Sequence, residues 1–143
     1  AAPVRLINMG IEPFLINSAV SCIVAQRLVR VLCQKCKQAY ELKDDIAEKL
    51  KLRLSQDGPY MFYRPKGCAG CFNSGYSGRT LLVEVLLLSP KIKGLVMNKA
   101  QEHIIKQAAR QEGMQTLRED GIQKAMRGIT SLEEVLRVSA ADQ

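Results

Sequence analysis

Tryptophan is absent from the 143 residues, histidine occurs once, and aromatic residues make up only 5% of the chain. A chain so poor in aromatics has few platforms on which single-stranded bases could stack. One histidine rules out a paired-histidine metal site. The residue itself, His103, sits in a helical run between Glu102 and Ile104 with no evident partner and reads as an exposed helix position. No G-x-x-x-x-G-K-[ST] and no G-x-S-x-G occurs, so neither a phosphate-binding loop nor a nucleophile elbow is present in these residues. The uncharged apolar stretch near the N-terminus, residues 14–25, is too short to cross a bilayer and is interrupted by Asn17, Ser18 and Ser21. No basic segment followed by a long apolar one marks a signal peptide, and the expected location is cytoplasmic. No catalytic constellation is apparent, because the acids interleave with bases along helical stretches and read as surface pairs.

What the chain does have is cysteine in a pattern. Cys33 and Cys36 form one C-x-x-C, and Cys68 and Cys71 form a second after 31 intervening residues. The two-residue spacer turns both sulfurs of a pair toward one point, so two such corners can close a tetrahedron around a zinc ion. Gly67, Gly70, Gly75 and Gly78 surround the second corner and are expected to supply positive φ where the backbone curls under the metal. The long middle spacing predicts a small inserted structure between the corners. Four thiolates leave no open position, so such a zinc is structural. Disulfides or thioredoxin-like redox chemistry would use the same residues, but five cysteines leave one unpaired, and a reducing compartment favours zinc. Cys22, in an apolar run, is expected to be a buried small hydrophobe.

The formal net charge is +7, from 21 basic and 14 acidic residues. A basic surface suits nucleic acid, anionic lipid, nucleotide phosphate or an acidic protein, and equally a solvated face. Arg27, Arg30, Lys35 and Lys37 form its densest cluster; Lys91, Lys93 and Lys99 are spread over a later helical segment.

Local signals punctuate the rest. Pro13 opens an apolar element in which Phe14, Leu15, Ala19, Val20, Ile23, Val24, Leu28 and Val31 recur near helical spacing, ending as a strand at the first cysteine pair. DDIAEKLKLRL, residues 44–54, predicts a short amphipathic helix, and Asp57–Pro59 a turn. YMFYR from Tyr60 predicts a strand paired with RTLLVEVLLL, residues 79–88. Ser89–Pro90 caps a helix running to about Met97. A helix from Ala100 to Glu112 buries Ile104, Ile105 and Ala108 and stops at Gly113. Capping boxes at Thr116–Glu119 and Thr130–Glu133 open two more, the first ending near Gly128 and the second running through Val138.

These blocks, in this order, carry a resemblance. MGIEPFLI, AQRLVR, LCQKCK, GCAGCFNSGYSGRT and GMQTLREDGIQKAMRGITSLEEVLRV resemble the C-terminal part of the ATPases that drive type II secretion and type IV pilus assembly, over residues 5–138. The resemblance implies an α+β, mainly helical fold with three parts. Residues 1–31 would be the edge of a RecA-like motor domain, residues 32–80 a tetracysteine zinc module with short strands, and residues 81–143 a strand and a small C-terminal helical bundle. It implies a non-catalytic segment, since the family's phosphate-binding loop, acidic boxes and histidine box precede the point where this chain begins; Ala1, in place of an initiator methionine, agrees. The parent would be a hexamer using ATP and Mg(2+), acting with inner-membrane secretion or pilus platform proteins and binding no nucleic acid. Presence of the zinc module favours secretion or pilus extension over retraction. Cys33, Cys36, Cys68 and Cys71 fall on its four zinc ligands. Arg27 and Arg30 could face phosphate or an adjacent subunit. Where the family often has proline after the first cysteine this chain has Gln34, and where it often has glycine after GRT it has Leu81. A zinc-ribbon nucleic-acid-binding module and a chaperone-like cysteine-rich module are the competing readings, the first wanting more aromatics and the second more repeats.

Overall fold

The computed structural model describes residues 2–49 and 60–139. Helices α1 (Ala2–Asn8) and α2 (Pro13–Ala19) lead into strand β1 (Cys22–Leu32), and β2 (Gln38–Leu42), α3 (Asp44–Lys49) and β3 (Tyr60–Arg64) follow. After a 3-10 turn at Ala69–Cys71 come β4 (Tyr76–Leu87), α4 (Pro90–Met97), α5 (Glu102–Gln111), α6 (Leu117–Met126) and α7 (Leu132–Ser139). The fold is a mixture of helix and sheet. β1 pairs with β4, the ladder bracketed by Leu88 N to Ser21 O (3.0 Å) and Cys33 N to Gly75 O (2.9 Å), which makes it antiparallel. β2 and β3 pair antiparallel with Tyr40 opposite Phe62.

Three expectations change here. The apolar element after Pro13 stays helical only to Ala19, and β1 takes over at Cys22. In residues 22–32 the β-branched Ile23, Val24, Val29 and Val31 favour a pleated strand, and that preference wins over the approximate helical spacing. RTLLVEVLLL pairs with β1 rather than with YMFYR, whose partner is β2, a strand without a strong sequence signal. Cys22 is exposed, on the alternate of the strand faces from the partly buried Ile23. The last part of the helix expected over residues 44–54, and the turn at Asp57–Pro59, lie outside the described residues.

The chain divides into two compact units, Ala1–Ala25 with Val83–Thr116, and Gln26–Leu82 with Leu117–Gln143. In the first, Ile16, Leu86, Leu88, Ile92, Val96, Ile105 and Ala108 form a core. Two of its helix ends rest on local chemistry. Ser89 Oγ accepts the Ile92 N–H (3.2 Å) with Pro90 in the first turn of α4. Gly113, at φ +101, ends α5 with Gly113 N bonded to Arg110 O and Met114 N to Ala109 O, the paired bonds of a left-handed cap. Ile105 and Ala108 are buried as expected, while Ile104 is 42% exposed.

In the second unit, one cluster joins Leu42, Ala47 and Phe62 to Ile122, Ala125, Leu132 and Val135, and another joins Val29, Leu82 and Leu117. The inserted structure expected between the cysteine corners is therefore β2, α3 and β3, seated on α6 and α7. A two-stranded ribbon of five-residue strands is marginal by itself, so this seating stabilises it. Gly128, at φ +78, closes α6 as expected, through Gly128 N to Ala125 O and Ile129 N to Lys124 O.

Candidate metal centre

The first corner follows the buried end of β1. Cys36 N and Lys37 N both donate to Cys33 O, folding the C-x-x-C into a tight turn. The second corner is the 3-10 turn: Cys71 N and Asn73 N donate to Cys68 O, and Ser74 N to Cys71 O. The Cys33 N–H to Gly75 carbonyl bond ties the corners together. Two glycines are required by space as well as by φ. A Cβ on Gly67 (φ +104) would lie 2.9 Å from Asn73 O, and one on Gly75 (φ +81) would lie 2.3 Å from Pro65 Cβ. Gly78 also has positive φ, whereas Gly70 does not share it; at Gly70 a Cβ would instead approach the Lys35 side chain, at 3.3 Å from its Cδ.

This geometry gathers the four thiols that the spacing singled out. The sulfurs of Cys33, Cys36, Cys68 and Cys71 all lie within 4.8 Å of one another. Cys33 to Cys68 is 3.8 Å, Cys36 to Cys71 is 3.8 Å and Cys68 to Cys71 is 3.7 Å. A zinc–sulfur bond of about 2.3 Å sets a tetrahedron edge of about 3.8 Å, so the donor set fits one zinc ion. These sulfurs are too far apart to be bonded as disulfides, whose S–S length is about 2.05 Å. Backbone amides stand behind the ligands: Cys68 N and Gly75 N each reach Cys71 Sγ at 3.2 Å. Burial pushes the Cys71 thiol up, but those amides and the neighbouring thiols bring it down to about 6. Burial likewise raises Cys36, and the other cysteines add to it, giving about 11. A metal ligand must be deprotonated, and the two amides favour the thiolate of Cys71.

The first corner also grips the end of α6. Gln34 Nε2 donates to Leu32 O (2.9 Å) and Gly128 O (3.2 Å), and Lys37 Nζ donates to Gly128 O (3.1 Å) while lying 4.7 Å from the Tyr63 ring centroid. Gln34 thus makes polar contacts that a proline, with no side-chain donor, could not make.

The two arginines have different surroundings. Arg27 is exposed, with Nη1 donating to the neighbouring Gln26 O (2.9 Å). Arg30 lies 4.1 Å over the Tyr76 ring and donates from Nη2 to Glu134 Oε1 (2.9 Å). Glu134 is a residue the sequence reading missed. It was expected to be a surface acid, yet its side chain is 1% exposed. Oε2 accepts the Arg30 backbone N–H (2.8 Å), and Arg137 donates to both carboxylate oxygens. Burial alone would raise this carboxyl, but the Arg137 and Arg30 bonds hold it at about 2. Its neighbours complete the network: Thr130 Oγ1 donates to Arg30 O (2.7 Å), and Ser131 Oγ shares a 2.8 Å bond with Tyr76 Oη. The expected Thr130 capping box is corrected accordingly, because Ser131 Oγ accepts the Glu134 N–H (3.2 Å) and is the cap of α7. A signal was available. Ser131, Glu134, Val135 and Val138 share one helical face, which places the acid among residues that pack inward.

His103 is exposed on α5, as expected. No helix of the described residues is long and apolar enough to cross a membrane.

Comparison with known proteins gives one consistent result. The family described as type II/IV secretion system protein matches residues 1–137. The chain is 41% identical over 135 residues to the type II secretion system protein E of Pseudomonas aeruginosa, covering 94% of this chain and 26% of that protein. It is 41% identical to the type II secretion system ATPase E of Vibrio cholerae, covering 96% and 27%, and 39% identical to the type IV pilus assembly ATPase PilB of Thermus thermophilus, covering 92% and 15%. The chain therefore spans about a quarter or less of the length of these relatives.

Proposed function

The chain belongs to the type II/IV secretion system protein family, and on that premise we propose that it is a non-catalytic, zinc-binding part of an ATPase that powers type II secretion or type IV pilus assembly. The observation that carries the proposal is the cluster of four sulfurs at tetrahedral spacing, in a chain about 40% identical to ATPases of both systems. The wider protein would bind ATP and Mg(2+), assemble as a hexamer and work in the cytoplasm against inner-membrane secretion or pilus platform proteins. The segment up to residue 31 would pack on the edge of a RecA-like motor, and the C-terminal helices would form a small bundle beyond the zinc module.

Cys33, Cys36, Cys68 and Cys71 would hold zinc, which when bound supplies a cross-link between the two corners and leaves no open position for substrate. The chain's own residues do the rest. The amides of Cys68 and Gly75 stabilise the Cys71 thiolate, Gln34 and Lys37 tie the first corner to α6, and Glu134 ties β1 to α7. A motor part held this way can pass force without hinging at the metal. Arg27, which reaches solvent, and Arg30 are proposed contacts to phosphate or an adjacent subunit.

Replacing Cys68 and Cys71 with Ser in the full-length protein tests the reading in cells. The expected outcome is loss of secretion or pilus assembly with the protein's nucleotide-binding residues untouched. Normal export and normal pili in that variant would overturn it.

A further inference from the structure

Phe72 is 93% exposed, the most exposed of the large hydrophobic residues described. It follows the last cysteine directly and has left-handed backbone, φ +54. A bulky side chain is disfavoured there, and glycine would take the same conformation without strain. Nothing in the fold repays the aromatic ring, because a ring this exposed buries almost no surface.

Charge adds a second, independent observation. Residues 22–40 and 60–83 carry seven basic side chains and no acidic one, so the other fourteen basic and fourteen acidic residues of the chain cancel. Over the whole of the four strands and the cysteine loops, residues 22–42 and 60–87, Glu41 and Glu84 join those seven, so five of the seven net positive charges lie there. Glu134 neutralises one of the seven, Arg30, and a zinc bound by four thiolates adds two net negative charges, which leaves the region basic. Lys35 folds across to the second corner, its Nζ 3.6 Å from where a Gly70 Cβ would stand. Lys66 precedes that corner and is exposed.

We propose that Phe72 is the anchor of a protein-docking surface, inserting into an apolar pocket rimmed by acidic side chains on a partner protein. A fully presented aromatic in a net basic surround is what an interface anchor requires: the ring fills a pocket and the charges set orientation and encounter rate. The cysteine corner holds the backbone in place before binding, which reduces the ordering cost. A membrane-seated loop needs a wider apolar face than one ring among Ala69, Asn73 and Ser74. A single-strand platform needs several aromatics in series. The surface and its partner chemistry go beyond the secretion reading and stand on the second corner's own geometry.

The test uses the full-length protein with Phe72→benzoylphenylalanine, irradiated in its own cells, followed by binding measurements with the purified cross-linked partner. The expected result is one identified protein whose affinity falls at least tenfold in Phe72→Ala and falls again between 50 and roughly 300 mM salt. Phe72→Gly should lose binding equally while its thermal midpoint stays level or rises by a few degrees. A lower midpoint in Phe72→Gly would assign the ring to the fold and overturn the proposal. So would a partner bound equally well by Phe72→Ala, the absence of any cross-linked protein, or a Phe72 dependence found only with phosphatidylglycerol vesicles or a single-stranded oligonucleotide.

Discussion

Glu134 shows how one side chain can hold a junction between distant parts of the sequence. Its carboxylate takes bonds from the Arg30 main chain, the Arg30 guanidinium and Arg137, and its pKa falls from about 4.5 to about 2. A depressed folded-state pKa gives stability that is complete above the unfolded value and is lost as pH falls through the folded one. That shift corresponds to about 3 kcal/mol. Glu134→Gln is therefore expected to destabilise the protein by about 3 kcal/mol at pH 7, and the gap to the parent should close between pH 4.5 and 2. Urea unfolding of both proteins across that range measures it, and a gap that stays constant would show that the charge is not what matters. At this scale the sequence was legible where chemistry is local. Four cysteines in two C-x-x-C pairs declared themselves, but Glu134 and Cys22 did not, because burial depends on what packs across from a residue.

Elements follow the same division. The start of α4 and the stops of α5 and α6 rest on Ser89, Pro90, Gly113 and Gly128, whose conformational preferences are intrinsic, and these were readable. Strand pairing was not, since β1 with β4 and β2 with β3 join residues far apart in sequence, and hydrophobic pattern alone does not choose partners. Helical glycines turn this into a prediction with opposite signs. Gly94 in α4 is exposed, and an added Cβ would meet nothing within 4 Å, so Gly94→Ala should stabilise by about 0.5–1 kcal/mol. Gly121 in α6 has Val135 Cγ1 at 2.6 Å and Leu82 Cδ1 at 2.8 Å from the same added atom. Val135 is fully buried and β-branched, with little room to turn, so overpacking of about 1–3 kcal/mol should exceed the helix gain and Gly121→Ala should destabilise. Thermal unfolding of the two variants decides it. Equal shifts of the same sign would mean that propensity, not packing, sets both positions.

The whole molecule combines a family identity with a charge distribution that its composition conceals. Five of its seven surplus positive charges sit in the strands and loops around the cysteine corners. The resemblance was legible from sequence because the cysteine corners and helix punctuation stand as ordered blocks along the chain, and the match over residues 1–137 bears it out. The division into two compact units was not, because each is assembled from two separated stretches of chain. The unit holding the cysteines has a ribbon of two short strands, and such a structure is expected to depend on its cross-link. The measurement that tests this most directly is zinc content per chain together with thermal unfolding before and after a strong chelator. One zinc per chain, with a cooperative loss of structure when it is removed, is the predicted result. A chain free of zinc whose unfolding ignores the chelator and responds to reductant would contradict it, and would assign the four cysteines to disulfides.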